Sequence, residues 1–157
     1  MPIRFTPLDP TLVAAARLGE ADANGRPPER AVSDGRGNPC RCCLTDIEAG
    51  APMLILAARP FEDPNPYAET GPVFLHAEPC EPWSGEGVPP IFTTSPDYLL
   101  KGYTPDGRIA YGTGRITPSA EVATYAADVL ADERIAWVDV RSARNNCWQA
   151  RVVREGP

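Results

Sequence analysis

Proline decides most of what this chain can become. Its ring supplies no backbone donor and restricts the residue before it. Stretches such as "RPPER", "EDPNPYAETGP" and "EPCEPWSGEGVPP" are therefore barred from helix interiors and central strands. The 19 prolines and 13 glycines are together about a fifth of the 157 residues, which dictates short elements joined by turns and long connections.

Between these breaks the patterns are readable. "TLVAAARLGEAD" (11–22) predicts a short helix with Asp9 or Thr11 near its start, and the polar run after it predicts a long surface connection over about 20–39. "PMLILAARPF" (52–61) and "GPVFLHA" (71–77) are apolar runs bounded by turn residues and predict strands. In the second, alternation places Phe74 and His76 on one face and Val73, Leu75 and Ala77 on the other.

"DYLLKGYTPDGRIAYGTGRI" predicts a hairpin turning at "PDG". "TPSAEVATYAADVLADE" predicts a helix capped by Thr117, with Pro118 in its first turn and an apolar stripe of Val122, Tyr125, Ala126, Val129 and Leu130. "IAWVDVR" and "CWQARVVRE" predict a second hairpin around "SARNN". This order predicts an α+β fold: one domain over 1–157, a mainly antiparallel sheet with hairpins, and one or two helices packed on it.

A chain of this length buries roughly two thirds of its unfolded surface, so it needs neither a metal nor a disulfide in order to fold. The net charge of −6 comes from interspersed acids and bases, without the basic footprint of a nucleic-acid binder. No apolar run suggests a signal peptide or a membrane span, so the expected location is the cytoplasm and the expected partner a protein or small molecule. There cysteines stay reduced, and clustered ones are metal ligands or catalytic thiols more often than disulfides. Five cysteines, an odd number, cannot all pair within one chain.

Three of the five lie in "PCRCCL", and the chain's single histidine, His76, stands in "FLHAEPC". Cys40 and Cys43 form C-x2-C, and His76 and Cys80 form H-x3-C, together a Cys3His set for Zn2+. The rival set replaces Cys40 with Cys42. Vicinal cysteines seldom both ligate one ion comfortably, which favours Cys40. The bland alternative is that the cysteines are small buried hydrophobes and His76 a hydrogen-bonded strand residue. A closed four-ligand site would be structural. No H-E-x-x-H helix or deaminase-like H-x-E…P-C-x-x-C order points to a zinc hydrolase.

The motifs "PCRCCL", "GPVFLHAEPC", "YGTGRI" and "VDVRSARNNCWQARV" together resemble an uncharacterised bacterial family, domain of unknown function 1203, from about Phe5 to the last strand. The resemblance brings no reaction. It implies that Cys40 and Cys147 belong to the general family pattern, and that Cys42, Cys43, His76 and Cys80 belong to one branch. A metal site built from the branch set would then not be essential to the fold. Many relatives carry histidine at the position of Cys42, which pulls toward the rival ligand set.

The second function class is a thiol-dependent redox or sulfur-handling enzyme using Cys40 and Cys147. C-x-x-C and Arg41 would favour a thiolate, and Arg144 and Arg151 lie near Cys147 in sequence. Against it, a thioredoxin-like motif opens a helix, whereas this one precedes a strand. Arg141, Arg144 and Arg151 could also bind an anion, although ordinary ion pairs on a solvated face account for them more simply.

Overall fold

The structure is a computed structural model that describes residues 2–156. Among them ten principal elements follow in the order β1 (Ile3–Thr6), α1 (Pro10–Arg17), β2 (Glu29–Val32), β3 (Pro52–Ala58), β4 (Gly71–His76), β5 (Asp97–Tyr103), β6 (Arg115–Pro118), α2 (Val122–Leu130), β7 (Trp137–Ser142) and β8 (Trp148–Arg154). The fold is α+β, and its strands divide between two antiparallel sheets. One runs β1-β8-β7-β5-β6, the other β2-β3-β4.

Each sheet has its own core. On the five-stranded sheet, Leu100, Val138, Val140, Ala150 and Val152 pack against Val122, Ala126, Val129 and Leu130 of α2. This is the apolar stripe anticipated from sequence, with Tyr125 partly buried beside it. The helix sits close because β5 offers a glycine: a Cβ on Gly102 would stand 3.0 Å from Val129 Cγ1. The three-stranded sheet packs Met53, Leu54, Leu56, Val73 and Leu75 against Leu8, Val13 and Ala16 at α1 and against Trp148 of β8. Val73 and Leu75 are buried and His76 less so, as the alternation predicted.

Local chemistry explains most element ends. Asp9 caps α1 by accepting from Thr11 N at 2.8 Å, and the helix stops at Arg17, before Gly19 at φ +81°. The "PDG" turn closes through Gly107 N to Thr104 O at 2.9 Å, with Gly107 at φ +78°. The final hairpin forms, with a register irregularity at Val140/Arg141.

Two expectations need correction. The polar run at 20–39 contains β2, which pairs along β3 from Glu29↔Ile55 to Val32↔Pro52. In this edge strand only Ala31 is partly buried, too little alternation for its backbone pairing to leave a mark in the sequence. β1 was likewise not foreseen. Thr117 does not cap α2: β6 continues through Pro118, a 3-10 turn spans Ser119–Glu121, and Thr117 is buried and donates to Arg115 O at 3.1 Å. Pairing of Tyr98 with Thr117 prevailed over the capping signal.

Candidate metal centre

The three cysteines of "PCRCCL" sit on a tight turn. Pro39 bridges to Asp46 across it, Leu44 N donates to Cys40 O at 2.9 Å, and Cys40 N donates to Thr45 O at 2.9 Å. Closing this turn puts Leu44 at φ +55°, a left-handed conformation that a branched side chain seldom adopts. Burial compensates, since Leu44 is fully enclosed in the α2 core.

The turn is tied to the rest of the molecule by its backbone. Leu8 N donates to Arg41 O, Arg41 N to Phe74 O, Trp83 N to Cys42 O and Ile91 N to Leu44 O, over 2.9 to 3.2 Å. Cys40 also forms a parallel bridge to Phe74 of β4. The turn therefore lies beside the end of β4, and the irregular segment after β4 brings Cys80 back over it.

This arrangement converges four side chains. One ligand atom each from Cys40, Cys43, His76 and Cys80 lies within 4.8 Å of all the others. Cys40 Sγ is 3.9 Å from Cys80 Sγ, and Cys43 Sγ is 3.5 Å from His76 Nδ1. A tetrahedral zinc ion with Zn–S about 2.3 Å and Zn–N about 2.0 Å separates its ligands by about 3.8 Å (S···S) and about 3.5 Å (S···N). The Cys40–Cys80 and Cys43–His76 spacings are close to these values, and the cluster is compatible with a bound metal ion.

The surrounding groups suit such a shell. His76 Nε2 faces Glu48 Oε2 at 3.0 Å, which leaves Nδ1 to point at the cysteines. Arg17, from the last turn of α1, donates Nη2 to Cys80 Sγ and Nε to His76 O, both at 3.2 Å. His76 N donates to Cys40 Sγ at 3.3 Å, and Thr45 Oγ1 lies 3.0 Å from Cys43 Sγ. Three thiolates around a dication leave one net negative charge, and Arg17 is placed to offset it.

The thiols of the turn are strongly interdependent. Cys43 is drawn down to about 4, chiefly because Cys40 donates to it; burial opposes this, and Thr45 and His76 add to it. Cys40 is pushed up by the same hydrogen bond and by burial. The two thiols thus share one hydrogen bond and titrate as a pair.

Cys42 stays outside the converging set. It is buried, its Sγ donates to Cys80 O at 3.7 Å, and burial followed by the neighbouring Cys80 pushes it up to about 11. The structure does not bring Cys40 and Cys147 into sulfur contact. All five cysteines are free, and Cys147 Sγ donates to Asn145 O at 3.7 Å.

Sequence reasoning missed Glu48, Thr45 and Arg17. The first two follow the turn closely, and their oxygens were a usable signal; Arg17 left none, because only tertiary packing brings α1 over Cys80. The arginines of the last hairpin proved to be ion-paired. Arg151 holds buried Asp139 at 2.7 Å, Arg144 meets Asp97 at 2.9 Å, and Arg141 lies 3.5 Å from Glu69. Arg141 is buried rather than solvated.

Among the described residues, no helix is long and apolar enough to cross a membrane. No curated protein and no solved structure matches the chain. The model of a protein family of unknown function, DUF1203, matches residues 37–154, which include the cysteine turn, β4 and the last hairpin but begin after β2. On that match the chain belongs to the DUF1203 family.

Proposed function

We propose that Cys40, Cys43, His76 and Cys80 hold one Zn2+ in a closed, structural site, and that this cytoplasmic protein acts by binding rather than by catalysis. The observation that carries the reading is the match between the sulfur and nitrogen spacings and a tetrahedral shell. The donor set supports zinc over magnesium or calcium, whose sites are built of oxygen. Four protein ligands leave no open position for water or substrate, which favours a structural over a hydrolytic role. Five free thiols agree with a reducing compartment.

The thiol-enzyme reading has less support. Its Cys40 is fully buried, Cys147 faces a backbone carbonyl, and the two sulfurs are not paired.

Elemental analysis of protein purified without added metal tests the proposal. About one equivalent of zinc is expected, falling steeply in His76→Ala because the tetrahedron is opened. Metal-free wild-type protein with all the cluster thiols open to alkylation would refute it.

A further inference from the structure

A groove of about 370 Å³ opens behind the cysteine turn, between β4 and the β7–β8 loop. Its lining includes Arg41, Phe74, Tyr98, Ser142, Asn145 and Cys147. Its volume is within the range of small-ligand pockets. We infer that this groove is a binding site for a small organic carboxylate, anchored by Arg41.

The argument begins with the charge. Arg41 is 2% exposed, yet its hydrogen bonds run only to backbone carbonyls, Nε to Trp148 O at 2.8 Å and Nη1 to Pro39 O at 2.7 Å. Among the described residues no carboxylate lies within 4.0 Å of its guanidinium; Cys147, then Cys40 and then Asp46 act on its charge from farther away. Buried charges are ordinarily paired, and an arginine fork held at two nitrogens by carbonyls keeps the third for an incoming acceptor. No cluster sulfur is within hydrogen-bonding distance of the Arg41 guanidinium, whose bonds go to Trp148 O and Pro39 O.

The walls set the class of ligand. The Arg41 guanidinium lies over the Phe74 ring, 5.6 Å from centroid to Cζ. Phe74 and Tyr98 offer apolar surface, while Ser142 and Asn145 add neutral polar groups. A single cation with neutral donors and apolar walls suits a monoanion with a hydrocarbon body. A phosphate dianion would need more positive charge than the groove provides. Cys147 lines the same groove and serves as a reporter. The inference does not rest on the metal, since backbone hydrogen bonds hold the turn that carries Arg41.

The test titrates sodium benzoate into 15N-labelled wild-type protein of measured zinc content, with sodium chloride at matched ionic strength as control and inorganic phosphate in parallel. Benzoate should give saturable amide shifts centred on Phe74 and on Ser142 to Gln149, and should slow alkylation of Cys147 by iodoacetamide. Arg41→Gln should weaken binding about tenfold or more. Because that change also removes bonds that hold the turn, Asn145→Asp provides an independent arm. Asn145 is exposed at the rim, and a like charge there should weaken benzoate about threefold or more without altering the fold. Absence of saturable shifts, equal affinity in Asn145→Asp, or phosphate binding more tightly than benzoate would overturn the inference.

Discussion

Arg17 Nη2 donates to Cys80 Sγ across 3.2 Å, linking the last turn of α1 to the candidate metal centre. Arg17 also donates to His76 O, so one guanidinium holds both halves of the H-x3-C pair. Arg17→Ala should therefore weaken zinc retention about 10- to 100-fold while leaving all four ligands in place. Competition against a chromophoric chelator measures this. Unchanged affinity would mean that the arginine only packs against the cluster.

Chelation should destabilise the protein without unfolding it. Each core has its own apolar complement, in contrast to domains whose only core is the metal. Calorimetry in excess chelator should show a lower Tm with a single cooperative transition retained. Loss of the transition altogether would show that the ion, rather than the packing, holds the turn.

Cys147→Ser should leave zinc content at the wild-type level, because its sulfur contacts Asn145 O rather than the cluster. Cys80→Ser should lower it. A fall in zinc for Cys147→Ser comparable with that for Cys80→Ser would remove the distinction drawn between these two thiols.

Glu69 links the acid stability of the protein to the face of the sheet opposite α2. Burial alone would raise its pKa, but hydrogen bonds from Lys101 and Tyr103 and the charge of Arg141 prevail and hold its carboxyl below the usual value. A carboxylate with a depressed folded pKa contributes stability that is full above its unfolded pKa of about 4.3 and is lost as pH falls through the folded value. Glu69→Gln should thus be less stable than wild type at pH 7, with the gap narrowing below about pH 4. Urea unfolding of both proteins across that range measures it, and a gap independent of pH would contradict the assignment.

What could be read from sequence was what local chemistry fixes. The stripe of α2 and the alternation of β4 were legible because burial on one face imposes a period. C-x2-C was legible because one turn sets the distance between its thiols. β2 was not legible, because an edge strand with only Ala31 partly buried leaves too little alternation to read. Arg17 was missed for a related reason: its partner is fixed by where α1 packs, and a helix-terminal arginine looks the same whether it faces water or sulfur.

Leu44 and Ile47 stand three positions apart and point into different cores, Leu44 into that of α2 and Ile47 into that of the three-stranded sheet. Neither hydrophobic layer can open fully without uprooting the same short turn. The molecule should therefore breathe as one unit, and slow amide exchange in β4 and in α2 should share a common opening free energy. An ion gripping that turn would protect amides far from any ligand, in both layers equally.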